Sequence, residues 1–172
     1  MRTCSKKVFA LLFWVVFQLN AFSQDGDLMI ETGGNVVFHI NSLTKYNDGQ
    51  ELNTWTRIAI SVSGLGATDG WRVEVLTEDP KLQGDNWGRD LDVDYLSVSA
   101  TPFNPASASL NYFPINTLSA VPQNLITGEG NGIFIVTINY GIGLDLLGTD
   151  NILLGEWPDY YTVRLFFDLK PN

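Results

Sequence analysis

The residues with the clearest capacity for chemistry are acids. Within residues 84–95 the chain carries Asp85, Asn86, Asp90, Asp92 and Asp94. Calcium takes six to eight oxygen ligands at about 2.3–2.6 Å, and loops rich in Asp, Asn and Gly supply them, so Asp85, Asp90 and Asp92 are the candidate metal ligands. The calcium-loop register D-x-[DN]-x-[DN]-G is absent. If residues 90–94 are extended, their carboxylates point the same way about 7 Å apart, so two can bracket an ion with help from Asp85 but three cannot. The competing reading is an acidic edge that repels other strands, and the poor motif match favours it.

The remaining catalytic vocabulary is thin. The single His39 sits in Val36, Val37, Phe38, His39, Ile40, on the face opposite Phe38, with no Ser or Cys machinery in any recognisable motif. A lone His of that kind is a strand-face residue before it is a base. Ser61, Val62, Ser63, Gly64, Leu65, Gly66 is not in the order G-x-S-x-G, and no helix follows it. Gly64, Gly66 and Gly70 miss the dinucleotide spacing, and Gly128, Gly130 and Gly132 precede a strand, so both sets read as turns. Pairs of carboxylates could be nominated anywhere among 19 acidic residues, which makes such a nomination uninformative. The expectation is a protein that is not an enzyme and takes no cofactor.

Aromatic residues offer a different chemistry, because flat rings stack on the apolar faces of sugars. Trp87, Trp157 and Tyr160, with Tyr46 and Tyr112, fall in loops or outside the apolar strand faces. The first three are the candidate carbohydrate-binding residues. Against this stands the tendency of large aromatics to be buried, here as plugs at the ends of the fold.

Composition narrows the partners. The chain has 172 residues, 45% of them hydrophobic, with one Cys, one His and a net charge of −9. One Cys excludes a disulfide scaffold, and one His with one Cys excludes the usual zinc sites. The negative charge argues against nucleic acid or an anionic membrane surface as partner, since both demand a basic face.

At the N-terminus Arg2, Lys6 and Lys7 precede an apolar run over residues 8–17, followed by Ala21, Phe22 and Ser23. This is the layout of a secretory signal cleaved before Gln24. The run is too short to span a bilayer, which takes about 20 residues. Cys4 precedes it, where a lipoprotein's acylated Cys cannot be. Removal of residues 1–23 takes away that Cys and three basic side chains and leaves one domain, residues 24–172, with a net charge of −12. It has no disulfide and no membrane insertion, so a hydrophobic core must hold it together.

The elements that would position these groups are strands. Val163, Leu165, Phe167 and Leu169 alternate with polar or outward residues, predicting one strand over 161–169. A central strand is expected over 133–140. Ile58, Ile60 and Val62 on one stretch and Trp71, Val73 and Val75 on another predict a hairpin with a long loop. Shorter strands are expected over 28–31 and 36–40 around the turn Gly33, Gly34, Asn35. Residues 90–100 change parity midway, which reads as a bulge. Residues 101–131 contain Pro102, Pro105, Pro114 and Pro122 and predict a packed loop with one brief strand or helical turn near 118–126. The fold class is all-β, a single immunoglobulin-like β-sandwich of about seven short strands. The segment 27–32, with Leu28, Met29 and Ile30 at its centre, is the candidate assembly edge, able to pair within the chain or with a neighbour.

The closing stretch Gly155, Glu156, Trp157, Pro158, Asp159, Tyr160, Tyr161, Thr162, Val163, Arg164, Leu165 resembles the final strand of pilin-like and spore-coat-U-like bacterial surface proteins. The stretch Gly70, Trp71, Arg72, Val73, Glu74, Val75 is similar to the W-x-V-x-V strand of exported β-sandwich domains. The chain departs from chaperone-assembled pilins in lacking their disulfide. What the resemblance implies is a structural or adhesive role outside the inner membrane, in the periplasm, at the cell surface or beyond it. The expectation is therefore a non-catalytic surface or matrix protein whose partner is another protein or a second copy of itself. The alternative is a small secreted carbohydrate-binding domain, with or without calcium.

Overall fold

The computed structural model describes residues 25–86, 88–144 and 153–172; the expected signal segment and Trp87 lie outside them. Among the described residues twelve strands form three antiparallel sheets of four, so the all-β expectation holds with more strands than the seven expected.

The first sheet contains β1 (Asp25–Thr32), β3 (Gln50–Ser63), β10 (Gly132–Ile142) and β7 (Leu96–Pro102), in the order β1-β3-β10-β7. The second contains β4 (Gly70–Thr77), β8 (Asn111–Tyr112), β9 (Gln123–Glu129) and β12 (Leu165–Pro171), ordered β12-β4-β9-β8. A smaller third sheet runs β2 (Val37–Ile40), β11 (Asp159–Thr162), β5 (Lys81–Gly84), β6 (Leu91–Asp92). One six-residue helix, α1 (Leu43–Asp48), buries no side chain and ends at Gly49, where φ is +74°.

Period-2 alternation builds the core between the two larger sheets. Ile58, Ile60 and Val62 of β3 and Phe134, Val136 and Ile138 of β10 bury one face of the first sheet. Trp71, Val73 and Val75 of β4 and Leu125 and Ile126 of β9 bury the facing side of the second. Trp71 spans the layers: its indole lies 5.1 Å from the Phe134 ring and its Nε1–H donates to the Gly130 carbonyl at 3.2 Å. A Cβ on Gly128 would sit 2.4 Å from Trp71 Cζ2, so only glycine lets β9 pass this close to the indole.

Several local expectations are corrected. The stretches 58–62 and 71–75 are not a hairpin; they belong to opposite sheets, because each buries an apolar face and the two faces meet across the core. The strand over 161–169 breaks at Val163 and Arg164 into β11 and β12, which pair in different sheets. Its apolar face survives, since Leu165, Phe167 and Leu169 are half-buried against the core. The parity change within 90–100 is a 3-10 turn at Val93–Tyr95 and not a bulge. Residues 101–131 supply a 3-10 turn at Pro105–Ser109, where Asn104 and Ser107 cap one another, and the full strand β9.

The two ends of the first sheet differ. Beyond β7, Val98 and Ile115 exchange backbone hydrogen bonds of 2.9 and 2.8 Å, and Leu118 N–H donates to the Leu96 carbonyl at 2.9 Å, so this edge is covered. At the other end β1 pairs with β3 on one side, and among the described residues no strand pairs its outer side.

Candidate functional site

Two regions contain the residues singled out above. The first is the corner where the segment 157–160 meets Asp85, Asn86 and Arg89. It is organised by Asp159, which is buried although Asp is rarely so unless paired. Its carboxylate accepts from Asn86 N–H at 2.9 Å, Asn86 Nδ2 at 2.8 Å and Tyr160 N–H at 2.9 Å. Burial alone would raise its pKa. The two backbone hydrogen bonds, the Asn86 amide and the nearby Arg89 charge outweigh that and hold it below the usual carboxylate range. Asp85 N–H donates to the Tyr160 carbonyl at 3.1 Å, completing the tie between turn and strand.

The exposed rings stand around this frame. Trp157 is 60% exposed and Tyr160 45% exposed. The Arg89 guanidinium lies 5.0 Å from the Trp157 ring centroid, and Arg89 Nη1 donates to the Pro158 carbonyl at 3.3 Å. His39 of β2, directly opposite Tyr160 in the ladder, stacks on it at 3.8 Å with an 11° interplanar angle. His39 is thus a strand-face residue. Tyr161 turns inward; its hydroxyl donates to the Trp157 carbonyl at 2.5 Å, and burial first, then the Asp159, Tyr46 and Glu156 charges, pushes its pKa up to about 12.

The acidic candidates are spread along the same turn and its exit. Asp92 lies on the two-residue edge strand β6 with its carboxylate 3.8 Å from Lys81 Nζ, while Asp85 and Asp90 flank the turn. Among the described residues no three His, Cys, Asp or Glu side chains are grouped closely enough to hold a metal ion.

The second region is β1. Leu28 and Ile30 face the inner side of the sheet opposite Ile60 and Ile58, and Met29 lies opposite Ala59 on the outer side. Leu28 is half-buried, whereas Met29 is 55% and Ile30 46% exposed. The strand is acidic, with Asp25, Asp27 and Glu31.

Sequence reasoning placed Asn86 in the acidic cluster but missed its pairing with Asp159, the contact that fixes the aromatic corner. They are 73 residues apart, and no spacing signal links them. An Asp at the start of an apolar strand is the one hint available.

No protein-family model matches the chain, and no curated protein matches its sequence.

Proposed function

We propose that the chain is a non-catalytic exported β-sandwich protein with a structural or adhesive role, working through self-assembly or capture of another protein. The observation that carries this reading is the outer edge of β1: eight residues long, unpaired among the described residues, with Met29 and Ile30 exposed. Proteins usually blunt such an edge, as this one does at β7; here β12 touches only the Gly26 end, and the stretch towards Thr32, left without a paired strand, invites another. Pairing β1 with its own copy would set Asp25, Asp27 and Glu31 against the same acids, so a less acidic edge of the neighbour is the better partner. Such head-to-tail contacts grow into filaments unless they close into a ring. The resemblance of residues 155–165 to bacterial surface proteins points the same way, and the export signal over 1–23 supplies the compartment.

The test is sedimentation velocity and electron microscopy of residues 24–172 over a range of concentrations. Concentration-dependent oligomers or filaments are expected, and Met29→Asp, which adds a fourth acid on an exposed position, should reduce them without lowering stability. A mature chain that stays monomeric and captures no protein partner overturns the reading. Intact mass of the exported form is expected to begin at Gln24.

A second reading, a carbohydrate-binding domain, is favoured by the exposed Trp157 and Tyr160 rings on one corner. The Arg89 guanidinium lies over the Trp157 ring and the His39 imidazole stacks on Tyr160. Binding on a glycan array that disappears with Trp157→Ala would replace the first reading with this one.

A further inference from the structure

A cleft of about 700 Å³ lies between the edges of β1 and β12; its lining residues Val37 and Thr162 sit two residues along β2 and β11 from the His39–Tyr160 pair. At one end the edges touch, since a Cβ on Gly26 would lie 2.8 Å from Leu169 Cδ2. Towards the other end the chain leaves both edges. After β1 it turns through residues 33–35 into β2, and before β12 it crosses over from β11 at Val163 and Arg164. The space between these two crossings is the cleft. Its volume lies within the roughly 300–1,000 Å³ typical of small-molecule sites.

The lining has three parts. Ile30, Leu165 and Phe167 give an apolar wall. The floor is a chain of hydroxyls: Tyr140 donates to Thr56 Oγ1 at 2.9 Å, and Thr56 donates to the Gly33 carbonyl at 2.6 Å. Tyr140 Oη keeps acceptor capacity. The rim carries Glu78, Asp79, Lys81, Gln83, Thr162 and Arg164.

The rim charges decide the ligand class. Two acids and two bases stand on the rim, in a chain that is otherwise strongly acidic; both bases already have an acid beside them, and Asp79 has only the neutral Gln83 amide. Arg164 Nη1 meets Glu78 Oε2 at 2.5 Å, Lys81 Nζ lies 3.8 Å from Asp92, and Gln83 Nε2 donates to Asp79 Oδ2 at 3.5 Å. An anionic ligand would have to take Lys81 or Arg164 from its acid to find a counter-ion, whereas an uncharged ligand would not. Carboxylate, amide, guanidinium and hydroxyl groups held in place by one another offer many donors and acceptors to a ligand rich in hydroxyls. The apolar wall accommodates the C–H face of such a ligand.

We propose that this cleft binds an uncharged saccharide. The inference goes beyond the assembly reading and does not depend on it. The test is an NMR titration of the mature chain with maltohexaose, cellohexaose, laminarihexaose and xylohexaose, with a hexagalacturonate as the charged probe. At least one neutral sugar should shift the amides of residues 33–37 and 162–165. Asp79→Ala and Gln83→Ala, both at exposed side chains, should each weaken it by about tenfold at unchanged melting temperature. Trp157→Ala should leave it intact. The proposal is overturned if no neutral sugar shifts those amides, if the galacturonate binds more tightly than all of them, or if binding is lost with Trp157→Ala and kept in Asp79→Ala.

Discussion

The imidazole of His39 and the phenol ring of Tyr160 lie flat against each other, 3.8 Å apart, on directly opposed positions of β2 and β11. The pair joins β2 and β11 of the short third sheet. It also leaves Tyr160 with a single ring face for any other partner.

A double-mutant cycle on His39→Ala and Tyr160→Ala should return a coupling of about 0.5–1 kcal/mol, the range of cross-strand and aromatic pairs. Urea denaturation of the four proteins measures it. Additive losses would mean that the stack is geometry without energy.

Gly128→Ala places a methyl group against the buried Trp71 indole and should destabilise by about 1–3 kcal/mol through overpacking. The near-UV dichroism of Trp71 should change with it. An unaltered midpoint and spectrum would show that β9 can retreat from the indole at no cost.

Glu74 carries a pH prediction. Its buried carboxylate accepts from Lys170 Nζ at 2.6 Å and Arg72 Nε at 2.8 Å, and these hydrogen bonds, Lys170 first, hold its pKa below the usual carboxylate range. A depressed native pKa stabilises the fold above the unfolded value, about 4.3, and the contribution is lost as pH falls through the native value. The melting-temperature gap between the native protein and Glu74→Gln should therefore be full at pH 7 and narrow below pH about 4. A gap independent of pH would remove the charge from the explanation.

Val136→Pro should be among the most damaging single changes, costing about 3 kcal/mol or more. Val136 is buried in β10, between Ile58 of β3 and Pro102 at the end of β7, and a proline in the interior of a central strand removes a ladder donor and distorts the pairing. Asp168→Asn should stay within about 0.5 kcal/mol, because its contact with Lys170 at 3.3 Å is exposed and screened. Equal midpoints for the two variants would contradict the placement of β10 at the centre of its sheet.

Alternation made the strands legible and left their partners hidden. Ile58 to Val62 and Trp71 to Val75 announce buried faces, and the structure buries both. Yet alternation is equally satisfied by a hairpin and by two facing sheets, and only packing chooses between them. The break between Thr162 and Leu165 is silent for the same reason, since Val163 and Arg164 continue the apolar and polar parity across it. At the corner, Trp157 and Tyr160 were visible as aromatics outside the core pattern. The turn that faces them depends on Asp159 reaching Asn86, a long-range contact that local spacing does not encode. The cleft was invisible, because it is a space between two crossings and belongs to no motif.

The ladder between β4 and β12 has a kinetic meaning. Trp71 pairs with Pro171, and Arg72 reaches the Pro171 carbonyl across 99 residues of chain. The second sheet therefore cannot close until nearly all of the described chain is available, and the entropy of closing so long a loop comes due before any contact repays it. Such topologies fold in milliseconds to seconds.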